Sequence, residues 1–340
     1  AGIFEIAGES VDREVGHPGR KDYQRRLREL AVETGRPVTF GLFSRKDAPD
    51  IWRTYAALLD ETAAAGGRMF AQVHSRWLSA ILSFKTQLPF DRLPVWKELR
   101  ALPLEEQKQR LRDPELRRRL VEAARERDNR KAIGTEARPP IYDWIFVMDT
   151  VEGPHRSVAE VARQRGVDPV EAMIDVALEK DLDLFFLQPI ANENQDHALE
   201  LIKHPRTVVT FSDSGAHVSQ LMDASLQSHL LSHWVRAKQA LTLEQAVRML
   251  TFDTATHWGL ADRGLVREGF AADFVVFDPA TIGPEMPEVV NDLPAGAKRL
   301  TQRCRGIAAT VVNGEVLLRD GKHTGALPGR LLRGPLAARA

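Results

Sequence analysis

Over the first two-thirds of the chain, short apolar runs alternate with amphipathic stretches. Ile3 to Ile6 reads as a strand. Asp22 to Thr34 has helical spacing and is closed by Gly35 and Pro37. Val38 to Phe43 reads as a second strand, Pro49 to Ala65 as a helix stopped by Gly66-Gly67, and Met69 to Val73 as a third strand ending at His74. This strand–helix order predicts parallel strands joined by helical crossovers.

The rhythm breaks from Leu78 to Pro140. That region contains the charged run Leu104 to Lys131 and reads as solvated helices inserted over the domain. Alternation then resumes. Asp143 to Met148 reads as a strand. Ser157 to Arg165 and Pro169 to Leu178 read as helices with Ser157 and Asp168 as N-caps. Leu182 to Leu187 is a further strand, Asp196 to Lys203 a helix and Thr207 to Phe211 the last strand of this series. Ser225 to Ala240 and Thr242 to Leu250 follow as helices. Beyond Gly264 the period changes to short β runs at Phe274 to Phe277, Ala308 to Asn313 and Val316 to Arg319. Asn313-Gly314 is a hairpin signal between the last two. The pattern predicts an α/β domain over residues 1–262, with its helical insertion at about 78–140, and a β segment and tail over 263–340. No internal repeat is visible.

Composition narrows the function classes. The chain has 340 residues, 43% of them hydrophobic, enough to bury a sizeable core. Lys+Arg and Asp+Glu both number 47, so the formal net charge is zero and neither nucleic acid nor an anionic membrane is an expected partner. No apolar run approaches the roughly 18–20 residues of a membrane span. The opening residues have no secretory signal pattern, and a cytoplasmic location is the expectation. The single cysteine, Cys304, excludes an internal disulfide framework and a cysteine-rich zinc site.

In parallel α/β folds the working residues gather at the C-terminal ends of strands. Glu5, His74 and Asp213 occupy such positions, and all three are donor types that bind a divalent metal. Together they suit metal-assisted hydrolysis, in which a carboxylate takes the proton of a metal-bound water. Spacing alone leaves ordinary alternatives open: a structural hydrogen bond for His74, a turn cap for Asp213 and a strand-end ion pair for Glu5. His229 and His233 share one helix face, but Leu230 stands where a zincin needs glutamate, so they read as core or surface histidines, with the alternative that His233 faces the site. Phe211 to His217 is not a nucleophile elbow, and no phosphate-binding glycine loop is present.

The stretch TVVTFSDSGAHVSQLMDAS (Thr207 to Ser225) resembles the last barrel strand and following loop of D-aminoacylase-type amidohydrolases. LTLEQAVRMLTFDTATHWGLADRGLVREGFAADFVVFDP (Leu241 to Pro279) is similar to the closing helices of that family and its return into a β-sandwich. AATVVNGEVLLRDGKHTGALPGRLLRG (Ala308 to Gly334) resembles the final sandwich hairpin and tail. Upstream, ETGRPVTFGLF and GGRMFAQVHSR look like the fifth and sixth barrel strands. The resemblance implies strands four to eight of a (β/α)₈ TIM-type barrel with a small C-terminal β-sandwich portion. It implies hydrolysis of a linear amide, such as an N-acyl amino acid, with zinc as cofactor in one or two sites.

By the resemblance, Asp213 is a metal ligand and the proton carrier, and His74 is a metal ligand. Glu5 would bridge in place of a carboxylated lysine. His217 is expected to orient the substrate or the aspartate, and Arg76 to pair with a substrate carboxylate. The sequence also departs from the family. It has no His-x-His pair and no fifth-strand histidine, and Cys304 lies far from any early strand. Five strands cannot close a barrel, so the chain is expected to be a shortened form, poorly soluble and nearly inactive alone. The alternatives are a cyclic amidase related to hydantoinases or dihydroorotases, and a non-catalytic remnant.

Overall fold

The structure is a computed structural model that describes residues 2–9, 14, 16–126, 139–221 and 224–332. In chain order it runs β1 (Phe4–Ile6), α1 (Arg20–Thr34), β2 (Val38–Gly41), α2 (Ile51–Ala64), β3 (Met69–Gln72) and β4 (Leu78–Leu82). Then come α3 (Pro94–Arg100), α4 (Leu104–Arg110), α5 (Pro114–Arg125), β5 (Phe146–Val147), α6 (Val158–Arg165), α7 (Pro169–Glu179) and β6 (Phe186–Ala191). They are followed by α8 (Gln195–Lys203), β7 (Thr207–Val208), α9 (Leu226–His229), α10 (Leu243–Arg248) and α11 (Thr254–His257). The chain closes with β8 (Phe274–Phe277), β9 (Gly283–Val290), β10 (Arg299–Arg305), β11 (Ile307–Val312), β12 (Glu315–Arg319) and β13 (Lys322–His323).

Strands β1, β2, β3 and β7 form a parallel sheet in that order. Period-two alternation divides its residues between two faces. Val38, Phe40, Leu42, Met69, Ala71, Val73 and Val209 share one core with Leu27 and Ala31 of α1, Leu59 of α2 and Leu201 of α8. Burying such side chains contributes about 1.5–3 kcal/mol each, which fixes the register against a one-residue slip. The opposite face carries Glu5, Thr39, Phe70 and Gln72, and the same alternation continues to His74 and Thr210 just beyond the strands. Gly41, paired with Gln72, also lies on this second face, and a Cβ there would stand 2.7 Å from the Phe211 ring and 3.0 Å from Phe43. Without that Cβ, Phe43 and Phe211 meet edge to face at 4.5 Å over the end of β2.

Two expectations need correction. Of the five strands read as a partial barrel, four lie in the parallel sheet. The fifth, expected over 182–187, appears as β6 and belongs to a separate antiparallel sheet of order β4-β6-β5. The region from 78 to 140 is not wholly helical at its start, since β4 precedes α3. Leu78 to Leu82 is buried at every position, and such a run carries no alternation to mark it as a strand. One face of this sheet, through Leu82 and Phe186, joins a helical core with Trp96 and Leu99 of α3, Leu120 of α5 and Ile174 of α7. Those helices start where their caps predict. Asp113 and Asp168 accept from the backbone at the heads of α5 and α7, and Ser157 forms a capping box with Glu160 at α6.

The predicted helices over 225–240 and 242–250 each pass into π-helical turns, at Leu230–Ala237 and Met249–Asp253. The C-terminal segment forms two antiparallel ladders, β13-β12-β11-β8 and β10-β9. Asn313 and Gly314 turn the β11–β12 hairpin with φ of 49° and 84°, the positive pair that a two-residue turn of this kind requires. Among the described residues no helix is long and apolar enough to cross a membrane.

Candidate active site

The C-terminal edge of the parallel sheet carries a polar chain across three strands. Gln72 Nε2 donates to Glu5 Oε1 at 2.8 Å, and Thr210 Oγ1 donates to Gln72 Oε1 at 3.4 Å. Glu5 is exposed, and its carboxylate is engaged with this amide.

His74 follows β3 and is fully buried. Its Nδ1 lies 3.2 Å from both the amide nitrogen and the carbonyl oxygen of Arg76. The ring can therefore accept from one or donate to the other, and the choice of tautomer decides which nitrogen is left for a ligand. Arg76 is also buried and donates to Ser225 Oγ at 2.9 Å. Next to it, Ser75 Oγ donates to Leu226 O at 2.6 Å, and Trp234 Nε1 donates to Ser75 O at 2.6 Å. The segment after β3 is thus clamped onto α9 and the π-helical turn.

Asp213 lies in the loop after β7, two residues beyond Phe211, and is half-buried. Burial pushes its carboxyl above the usual aspartate range, and the charge of His217 opposes the shift. His217 is exposed and adopts a left-handed backbone, with φ of 50°. The far end of the loop is pinned to β4, where Ile81 N donates to Gln220 O at 2.6 Å.

Sequence reasoning missed several residues that build this edge. Asn192, at the end of β6, is buried with φ of 58°. Its Oδ1 accepts from Ser44 N at 3.0 Å, and its Nδ2 donates to His74 O and Arg76 O at 3.2 and 3.3 Å. The available signal was a polar Asn-Glu-Asn run directly after an apolar strand. His229 and His233, read from the sequence as core or surface histidines, stack at 4.7 Å. Burial, and then the nearby Arg76 charge, hold the His229 imidazole well below its ordinary value. His233 is lowered by burial and Lys238, against Glu152. Glu152 accepts from Ser232 Oγ. His155 is likewise lowered by burial and then by Arg76.

The expected zinc donors do not fit as a set. Among the described residues no group of three His, Cys, Asp or Glu side chains is arranged to hold a metal ion. Glu5 bonds to Gln72 on the sheet face, His74 is turned into the segment shared with Arg76, and Asp213 stands in the loop with His217. What the structure does hold is a half-buried carboxyl group, Asp213, beside the His217 imidazole, and, after β3, the buried Arg76 cation among histidines lowered by burial.

The chain resembles known proteins along most of its length. It is 32% identical over 186 residues to N-acyl-D-aspartate deacylase of Alcaligenes xylosoxydans xylosoxydans, covering 53% of this chain and 33% of that protein. It is 37% identical over 103 residues to D-aminoacylase of the same organism, covering 30% of this chain and 19% of that one. The chain thus matches a third or less of the length of these curated relatives. A D-aminoacylase mutant in complex with copper chloride superposes with a TM-score of 0.53 at 18% identity, over 98% of this chain and 56% of that chain. Another D-aminoacylase structure, which addresses the role of a binuclear metal centre, gives a TM-score of 0.51 over 96% and 54%. These two superpositions concern the fold. The amidohydrolase family model matches residues 11–318, so strands β2, β3 and β7 of the parallel sheet, the Asp213 loop and most of the C-terminal ladders fall within one family pattern, and the chain belongs to the amidohydrolase family.

Proposed function

We propose that the protein hydrolyses linear amides of the N-acyl amino acid type. The observation that carries this reading is Asp213: a carboxyl group at the C-terminal edge of a parallel sheet, half-buried, with its proton affinity raised by that burial. A carboxyl group at that position can take a proton from an attacking water and return it to a departing amine. The similarity to N-acyl-D-aspartate deacylase and D-aminoacylase supports a D-amino acid as the released amine. His217 is the charged partner that acts on Asp213 against the effect of burial. Arg76, buried behind the β3 end, supplies positive charge to the edge and favours an anionic substrate. Among the described residues the zinc donors do not assemble, so the proton transfer is assigned to Asp213 alone.

The test is a substrate panel on the purified protein, with release of free amine as the readout. Linear N-acyl-D-amino acids are expected to turn over, and a hydantoin or dihydroorotate is not. Ring opening of the cyclic amides without cleavage of the linear ones would replace this reading with that of a cyclic amidase.

A further inference from the structure

A row of rings lies on the sheet β4-β6-β5 beside the clamped segment. Trp77 and Phe146 stack at 5.2 Å with an interplanar angle of 24°. His155 flanks Trp77 at 6.4 Å, and Trp144 meets Phe146 edge-on at 6.0 Å. Lys46 Nζ sits 4.0 Å over the Trp144 ring. All four ring residues are partly exposed, so the row is a surface and not an interior core. It is also rigidly backed, since Phe146 packs on the cluster of Ile81, Met148, Phe185, Leu187 and Leu300.

Three contacts bind this surface to the candidate site. Trp77 directly follows Arg76, whose carbonyl accepts from Asn192. Arg76 also lowers the neighbouring His155 imidazole. The Asp213 loop is tied to β4 through Ile81 and Gln220 and through the Ala80–Leu221 bridge. Trp77 Nε1 and His155 Nδ1 have no hydrogen-bond partner among the described residues.

A contiguous aromatic patch joined through Arg76 and β4 to the polar segment suits a ligand with a flat apolar group. Lys46 is held over the Trp144 ring, and Arg76, the cation beside His155, is buried and donates to Ser225 Oγ. The patch therefore suits the uncharged end of an N-acyl amino acid. We propose that His155, Trp77, Phe146 and Trp144 form the acyl-binding surface and select acyl groups that carry an aromatic ring, held by stacking on the exposed ring faces. This rests on the amide-hydrolase reading and adds to it the class of acyl group.

The experiment compares kcat/KM for the N-phenylacetyl and N-acetyl forms of one D-amino acid. The purified protein is expected to prefer the phenylacetyl form by about tenfold, the scale of ring stacking plus apolar burial. Trp77→Leu and Phe146→Leu are each expected to bring the ratio below about threefold, a change that general loss of folded protein does not produce. If Trp77→Leu does not fold, Phe146→Leu carries the test. A ratio near one in the unaltered protein, or an unchanged ratio in the variants, overturns the proposal.

Calorimetric titration with phenylacetate and with acetate needs no turnover. Tighter binding of phenylacetate that is lost in Trp77→Leu upholds the surface even if no amide is cleaved, in which case only the hydrolase reading falls. Cleavage without discrimination in either measurement leaves the hydrolase reading and removes the surface.

Discussion

Asn192 holds three parts of the molecule with one side chain: the loop after β2, the turn after β3 and the end of β6. Asparagine tolerates its left-handed φ better than most residues, which explains why a polar side chain sits buried there. His229 is the other buried polar residue with a measurable consequence. Its imidazole is held neutral by burial and by Arg76, with His233 and His74 adding to the shift and a backbone hydrogen bond at Ser75 opposing it. An unfolded histidine titrates at about 6.5. Below that pH the unfolded chain takes up a proton that the folded chain resists, so stability falls as pH drops from about 6.5 toward the lower folded value. His229→Phe removes this proton uptake. The drop in melting temperature between pH 7.5 and pH 5.5 is expected to be smaller in the variant than in the unaltered protein. An equal drop in both would contradict the assigned shift.

At the scale of elements, Gly41 links the sheet to the Asp213 loop. A Cβ at that position meets Phe211, whose ring is one of the last fixed points before Asp213. Gly41→Ala is expected to cost about 1–3 kcal/mol in chemical denaturation, as overpacking does, and to lower amide turnover by disturbing the loop. Unchanged turnover in a folded variant would show that the loop does not depend on this packing.

The elements most legible in the sequence were those with local chemistry at their ends. Gly35 terminates α1 in a left-handed turn, Ser157 and Asp168 cap α6 and α7, and Asn313-Gly314 turns a hairpin. The least legible were strands without alternation. β4 is buried throughout, and β9 carries Pro284 and Pro287, residues that ordinarily argue against a strand. The partner of β6 could not be read at all, because a run such as Leu182 to Leu187 fits a parallel or an antiparallel neighbour equally well. For the site, Asp213 and His74 stood out as polar residues at strand ends. The aromatic row did not, since it arises only when Leu78–Leu82 and Phe146–Val147 pair with β6.

At the scale of the whole chain, membership in the amidohydrolase family rests on a match spanning residues 11–318, while the fold likeness to D-aminoacylase extends over nearly all of this chain and about half of that one. Within this frame the parallel sheet does two jobs. Its helix-covered face supplies the core, and its other face and C-terminal edge gather Glu5, Gln72, Thr210 and His74, with the Asp213 loop following β7. The amide-hydrolase account turns on the carboxyl group of that loop. The most direct test is kcat for an N-acyl-D-amino acid in the unaltered protein and in Asp213→Asn, each checked for an unchanged melting temperature. Loss of the proton carrier is expected to lower kcat by about 10²–10⁴-fold; a folded Asp213→Asn protein that keeps its full rate contradicts the account.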